Sequence, residues 1–141
     1  MKSPLRFSAL LATGSLALAP LAHAGELTVQ ITDIRATKGT ILVSVTNTEA
    51  AWNNQEKPVA AKKTAPTGKE LVLKFQLPPG SYAVQVMHDE NDNGKLDANF
   101  MGIPTEGYGF SNNPQVMRRA HFSEAKFDVA EKDSAIVVRL R

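Results

Sequence analysis

Apolar and polar side chains alternate with a period of two along most of this chain, and this alternation constrains its fold more than any other feature. Apolar residues at every second position lie on one face of a β-strand. The pattern occurs in residues 27–31, 41–45, 71–75, 82–86, 127–129 and 136–140. No long segment repeats apolar residues at helical spacing. Strands that each have one apolar face bury it by packing two sheets together, so the predicted fold is all-β, a single β-sandwich.

Residues that favour turns separate these segments. A Lys-Gly pair at 38–39 lies between the first two segments and predicts that they form a hairpin. The Leu-Pro-Pro-Gly stretch at 77–80 predicts a turn, because proline fixes φ and glycine accepts a positive φ. Residues 48–55, which include Trp52, are expected to form one helical turn.

The first 24 residues have the three parts of a secretory signal peptide. Lys2 and Arg6 give a positive start, residues 10–21 are mostly apolar, and an Ala-His-Ala sequence at 22–24 has small residues where a signal peptidase cleaves. The apolar run is shorter than the roughly 20 residues of a membrane span. We therefore predict a removed leader at 1–24 and a β-sandwich domain at 25–141, in a protein that is periplasmic or secreted and does not span a membrane.

Charge and cysteine content exclude several classes of function. The chain has 16 Lys and Arg residues and 14 Asp and Glu residues. Because two of the basic residues and none of the acidic ones lie in the predicted leader, the exported domain carries no net charge. A neutral domain is poorly suited to non-specific nucleic-acid binding, so no nucleic-acid partner is expected. The chain has no cysteine, which excludes disulfides, thiolate nucleophiles and cysteine-bound metals.

Two stretches fall outside the alternating pattern. Residues 56–70 contain four lysines, two prolines and a glycine, and they are predicted to form an exposed basic loop. Residues 88–113 form a connection that is long for a compact domain, and such loops are commonly functional. Their glycines and aromatic residues predict that this long loop is ordered and packed.

The end of the long loop is a candidate binding face. Binding residues concentrate on loops that a rigid scaffold holds. We therefore expect part of a partner-binding face to be formed by Tyr108, Phe110, Ser111 and Asn112. The alternative is that the two aromatic rings only pin the loop to the sandwich.

The start of the long loop, residues 89–97, matches the first nine positions of a calcium-binding loop. Gly94 at position 6 permits the sharp turn of such a loop. The candidate ligands are the side chains of Asp89, Asn91, Asn93 and Asp97 and the carbonyl group of Lys95. Phe100 replaces the bidentate glutamate of an EF-hand, which predicts weak affinity of about 10⁻⁴–10⁻³ M. The alternative is a metal-free turn in which the Asx side chains bond their own backbone.

Two other chemistries remain open from the sequence. A small hydrolase would use His88 and the acids beside it, although no nucleophile motif precedes Ser111 or Ser123. A copper site would combine thioether and imidazole ligands. Its candidate ligands are Met87, His88, Met101, Met117 and His121. Neither alternative has supporting residue spacing, and no catalytic residue is assigned.

Five short motifs lie between residues 80 and 112. They are GSYAV at 80–84, HDEN at 88–91, NGKLD at 93–97, GIP at 102–104 and EGYGFSN at 106–112. Together they resemble an exported bacterial family called domain of unknown function 2141. The resemblance implies a transthyretin-like or immunoglobulin-like sandwich of about seven strands, and it brings no assigned activity.

The sequence thus predicts an exported, non-catalytic binding or accessory module. A structural calcium loop would order its long glycine-rich segment, and calcium is the expected cofactor. The expected partner is an envelope protein or a glycan, whose identity the sequence leaves open.

Overall fold

The computed structural model describes residues 24–141, so the predicted signal peptide lies outside the described residues except for Ala24. This part of the chain contains eight strands and two short helices. In chain order they are β1 (Gly25–Thr32), β2 (Thr40–Thr46), α1 (Glu49–Trp52), β3 (Ala60–Thr64), β4 (Leu71–Leu77), β5 (Gly80–Asp89), β6 (Gly107–Phe110), α2 (Phe122–Ala125), β7 (Phe127–Val129) and β8 (Ser134–Arg139).

The strands form two sheets. The smaller sheet has the order β4-β1-β8, in which β1 is antiparallel to β4 and parallel to β8. The larger sheet has the order β3-β2-β5-β6, and β7 pairs with the first residues of β5. The predicted all-β sandwich is confirmed, with eight strands instead of about seven. Among the described residues, no helix has the length and apolar content needed to cross a membrane.

The main apolar core lies between the sheets and consists of the alternating residues. On β1, Leu27, Val29 and Ile31 are fully buried, while the side chains between them are partly exposed. Inward-facing residues of the other strands complete the same cluster: Ile41, Val43, Val45, Phe75, Leu77, Tyr82, Val84, Val86 and Val138. The alternation in the sequence therefore assigns the inner faces correctly.

A second, smaller core covers one end of the outer face of the larger sheet. Its buried members are Trp52, Ala83, Phe110, Ala120 and Ala125, and they bring α1 and α2 onto this face. The helical turn expected around Trp52 is confirmed as α1, and Thr48 caps its start by accepting a hydrogen bond from the Ala51 N–H group. The rest of the outer face is left to the long loop.

The predicted hairpin between the first two strands is wrong. β1 and β2 belong to different sheets, and residues 33–39 carry the chain from one sheet to the other. Gly39 has a φ of 77°, and a Cβ atom there would overlap the carbonyl oxygen of Asp89. Glycine is therefore required at this position by close packing against β5, not by the turn of a hairpin.

The lysine-rich stretch at 56–70 is a loop only in part. It contains β3, which pairs antiparallel with β2 at the edge of the larger sheet. The predicted exposure is confirmed, since Lys62 and Lys63 are both exposed. The middle residues of β3 are all exposed, which explains why this strand lacks the alternating pattern. Lysines on an edge strand discourage pairing with another chain.

Candidate functional site

The acidic loop at 89–97 is wound around the carboxylate of Asp89. This side chain is buried at the end of β5, where it accepts hydrogen bonds from the N–H groups of Asn93, at 3.0 Å, and Gly94, at 2.7 Å. Gly94 has a φ of 79°, which glycine adopts without strain. The backbone therefore makes the curled turn that the sequence pattern predicts.

Asp97 closes this loop from the other side. Its carboxylate accepts hydrogen bonds from the amide nitrogen of Asn91, at 2.6 Å, and from that of Asn93, at 2.9 and 3.0 Å. The hydrogen bonds from Asn93, and to a lesser extent from Asn91, lower the pKa of Asp97 below its usual range. The loop thus brings together the four side chains proposed as calcium ligands, while Lys95 donates its N–H to the Asn93 side chain.

Carboxylates alone do not make up this cluster. Among the described residues, no group of three or more His, Cys, Asp and Glu side chains is placed to hold a metal ion. A cation at this loop would therefore depend on the amide oxygens of Asn91 and Asn93 as well as on Asp89 and Asp97. The hydrogen bonds within the loop also match the metal-free turn, so the two interpretations differ in what calcium does to stability.

Glu106 fixes the acidic loop to the sandwich, a role that no pattern in the sequence predicts. Its side chain is only 6% exposed. One carboxylate oxygen accepts from the N–H of Glu90 and the other from the N–H of Asp97, both at 2.9 Å. Arg35 adds an outer tie, because its guanidinium donates to Glu90 at 3.1 Å and to the carbonyl of Thr105 at 3.0 Å.

A small turn at residues 98–104 projects from this anchored loop. Ala98 and Pro104 form an antiparallel bridge, and the side chain of Asn99 accepts from the N–H groups of Met101 and Ile103. The turn is therefore held by its own backbone and by Asn99. Glu106 holds Asp97 at the base of this turn. The position of the turn over the larger sheet therefore depends on the acidic loop.

A groove of about 720 Å³ lies between this turn and the outer face of the larger sheet. Its floor is formed by outward-facing residues of β2, β5 and β6: Leu42, Ser44, Gln85, Met87, Tyr108 and Phe110. Residue 96 and residues 101–104 form one wall, and residues 116–119 form another. The volume falls within the range of about 300–1,000 Å³ that is typical of small-molecule sites.

A row of three aromatic rings begins in the groove and continues beneath it. Tyr108 and Phe110 line the groove, and the buried Trp52 lies behind Phe110. Phe110 contacts the rings of Trp52, at 5.6 Å between centroids, and Tyr108, at 5.8 Å. The guanidinium of Arg119 lies over Trp52 and that of Arg141 over Tyr108, each at 5.6 Å from the ring centroid. The two cations therefore flank a row of three rings.

Charge at the groove is of one sign. Arg118, Arg119 and Arg141 line it, and the described residues that line it include no Asp, Glu or His. Arg118 forms a two-pronged ion pair with Glu124, with both contacts at 2.8 Å. Arg118 and the N–H of His121 lower the pKa of Glu124 to about 2. Burial lowers the pKa of Arg119, and the ion pairs among the described residues include no Asp or Glu partner of Arg119 or Arg141.

The four predicted binding residues occupy different environments. Tyr108 is partly exposed, and both it and the buried Phe110 line the groove. Ser111 is fully buried, where its hydroxyl donates to the carbonyl of Ala125 and accepts from the N–H of Val84. Asn112 is exposed and donates to two carbonyls at the end of α2. Tyr108 and Phe110 are thus placed to contact a ligand, whereas Ser111 and Asn112 hold the backbone beside them.

His88 lies on the opposite face of β5 from the groove, between the two sheets. It is fully buried, and its Nε2–H donates to the carbonyl of Lys38 at 2.8 Å. Its Nδ1 atom has no hydrogen-bond partner among the described residues, and the nearest carboxylate, that of Glu90, is 4.0 Å away. A hydrolase of this kind needs a hydroxyl nucleophile within hydrogen-bond reach of the histidine ring. The described part of the chain places no hydroxyl group there.

The five residues of the copper hypothesis are divided among three places. Met87, Met101 and Met117 line the groove. His88 is enclosed on the inner side of the same strand, and His121 precedes α2 outside the groove lining. The thioethers therefore share one surface, but the imidazoles do not join them.

The sandwich, its groove and the anchored loop define a class of all-β domain with a concave site on the outer face of one sheet. The chain belongs to a bacterial family described as uncharacterized protein conserved in bacteria, domain of unknown function 2141, whose sequence model matches residues 29–137. This match confirms the resemblance read from the motifs. No curated protein and no solved structure matches the chain.

Proposed function

We propose that this protein is an exported, non-catalytic binding module that holds its ligand in the groove on the larger sheet. The observation that carries the proposal is the groove itself. It has a mostly apolar floor, a wall built by the long loop, and two arginines that have no Asp or Glu partner among the described residues. Binding sites are concave and mostly apolar, with a few placed polar groups. Export is proposed from residues 1–24, since they have the organisation of a signal peptide.

Calcium has a supporting role in this proposal. A cation held by Asp89, Asn91, Asn93, Asp97 and the carbonyl of Lys95 would fix residues 89–97. Glu106 joins Asp97 and Glu90 to the sandwich, and the groove wall at 98–104 follows directly. Calcium would therefore stiffen the wall without touching the ligand.

The binding proposal is tested with an uncharged apolar dye, Nile red, whose fluorescence rises in an apolar site. Ser44 is a half-buried floor residue, so Ser44→Trp should fill the groove and lower dye affinity at least about tenfold. Ser44→Ala is the matched control and should bind as the wild type does. Equal dye binding by Ser44→Trp and wild type, with both folded, would contradict the proposal.

Export is tested by intact-mass measurement. Protein isolated from the envelope should have the mass of a chain that starts at Gly25.

Calcium should raise the melting temperature by a few degrees. At a tenfold excess over its dissociation constant, a bound ion adds about 1.4 kcal/mol by mass action, which corresponds to such a shift in a domain of this size. Asp97→Asn should lose most of the shift, because it removes a charged ligand from a partly exposed position. Asp89→Asn should lose it too, and should also melt lower in chelator, since Asp89 caps two N–H groups.

Asp92→Asn is the matched control for these variants. It removes the same charge from the same loop, but Asp92 accepts a hydrogen bond from the Thr40 hydroxyl at 2.6 Å and is not among the proposed ligands. Its calcium shift should equal that of the wild type. Identical melting of the wild type in calcium and in chelator would leave the loop as a metal-free turn.

A further inference from the structure

We propose that the groove binds an aliphatic carboxylate, an acyl chain that ends in a single carboxylate group. This inference rests on the proposed function, because it names the ligand class of the same groove. It is carried by three features of the described residues: exposed apolar side chains at the rim, two arginines without a carboxylate partner, and a floor whose backbone is already paired.

The rim of the groove exposes three large apolar side chains to solvent. Met101 is 64% exposed, Ile103 is 52% exposed, and Met117 is fully exposed. Contiguous apolar patches of this kind mark binding surfaces. Methionine is flexible and adapts to irregular partners, so the rim at Met101 and Met117 suits a chain that has no fixed shape.

Arg119 and Arg141 supply the positively charged groups of the site. Arg119 donates to the side chain of Gln85 at 3.0 Å and to the carbonyl of Trp52, and Arg141 donates to the carbonyls of Pro114 and Val116. These acceptors are neutral, so they orient the guanidinium groups and leave the charge unneutralised. Each guanidinium has five N–H donors and keeps some for a ligand. A carboxylate is the group that such a fork binds best with two hydrogen bonds.

Arg118 differs from these two arginines although it lines the same groove. Its charge is balanced by the ion pair with Glu124. Among the described residues, Arg119 and Arg141 have no such Asp or Glu partner, and they lie at the two ends of the aromatic row. A ligand with one carboxylate can pair with either of them, whereas a neutral apolar ligand would pair with neither.

The floor favours an acyl chain over an extended peptide. Peptides that add to a sheet bind its unpaired edge through main-chain hydrogen bonds. β2 and β5 both lie inside the sheet, where β2 pairs with β3 and β5, and β5 pairs with β2 and β6. β6 ends this sheet, and the N–H and carbonyl groups of Tyr108 on its outer edge pair with the backbone of Arg141. The ligand therefore meets side chains such as Leu42 and Met87 above strands whose backbone is paired, which suits a chain that makes only apolar contacts.

Displacement of Nile red by dodecanoate, below its micelle concentration, tests the inference. Dodecanoate should bind at least about tenfold more tightly than methyl dodecanoate or dodecanol, since a hydrogen-bonded charge pair is worth about this much. High salt should reduce the difference in affinity between dodecanoate and the neutral ligands, because it screens the charge interaction. Affinity should rise about two- to fourfold for each methylene added from octanoate to dodecanoate, as expected for partly covered CH₂ groups.

Variants locate the carboxylate. In Arg119→Gln and Arg141→Gln, the ratio of dodecanoate affinity to dodecanol affinity is measured within each variant, so that a change in Nile red affinity cancels. At least one of the two variants should lose most of this preference for dodecanoate. Lys69→Gln is the matched control, because it removes one exposed positive charge away from the groove. It should leave the preference unchanged.

The outcomes separate this inference from the proposed function. Equal affinity for dodecanoate and dodecanol in the wild type, with dye binding intact, would overturn the carboxylate and leave the binding module standing. Absence of dye binding to the folded wild type, together with absence of direct dodecanoate binding in calorimetry, would overturn both. Retention of the full preference by both arginine variants would also contradict the assignment of the carboxylate to these two arginines.

Discussion

Replacing Trp52 by Ala should lower the free energy of unfolding by about 3–5 kcal/mol, the usual cost of truncating a buried aromatic residue. Trp52 is 1% exposed and packs against the rings of Phe110 and Phe122. Its Nε1–H donates to the carbonyl of Ala120 at 2.9 Å. Truncation leaves a cavity and an unpaired carbonyl in the second core. Denaturant unfolding measures the loss.

Trp52→Phe is the matched control for this prediction. It keeps a ring against Phe110 but removes the hydrogen bond to Ala120, so it should cost about 1–3 kcal/mol. Dye binding should weaken in Trp52→Ala more than in Trp52→Phe, because Arg119 lies over this ring. If Trp52→Ala unfolds within about 1 kcal/mol of the wild type, this cluster is not a cooperative part of the fold.

The two sheets could be predicted because the signal for them is local. Whether Val29 or Gln30 faces inward depends only on the period-two spacing, and burial on β1 follows it. Pairing could not be predicted in the same way. β1 lies beside β8, more than a hundred positions away along the chain, and is parallel to it. The Lys-Gly pair at 38–39 favoured a hairpin, but the separate sheets of β1 and β2 overrode that local preference.

The candidate site also has one part that local sequence predicts and one part that it does not. The acidic loop could be predicted since Asp89, Asn91, Asn93 and Asp97 are close in sequence, and their side chains do converge. The groove could not, because its lining comes from β2, β5, β6 and the chain end at Arg141. Only the tertiary fold brings these together.

Glu106 had no sequence signal for a different reason. It lies in the long loop, where a charged residue is ordinarily solvated. Its burial depends on two N–H groups that the curled loop at 89–97 presents to it. A single glutamate without a spacing pattern gives no means of predicting such a contact, so its role emerged only from the structure.

Replacing Glu106 by Gln should lower the free energy of unfolding by about 1–3 kcal/mol and loosen the wall of the groove. The carboxylate accepts one N–H at each oxygen, from Glu90 and from Asp97. Glutamine has one acceptor oxygen, so its NH₂ group would face one of these N–H groups and leave it unpaired in a buried site. The cost is that of an unsatisfied buried donor.

Glu90→Gln tests whether this effect is specific to Glu106. It makes the same chemical change in a residue whose N–H group contacts Glu106. The Glu90 side chain is 21% exposed and pairs with Arg35 near the surface. The variant should therefore lower the free energy of unfolding by less than about 1 kcal/mol. Amide hydrogen exchange gives the sharper measurement. Glu106→Gln should speed exchange at the amides of Glu90 and Asp97, weaken Nile red binding, and reduce the calcium shift, because all three depend on the loop being held against the sandwich. Unchanged protection of both amides in this variant would show that the wall at 98–104 is held by its own contacts, and the proposed link between the acidic loop and the groove would then fail.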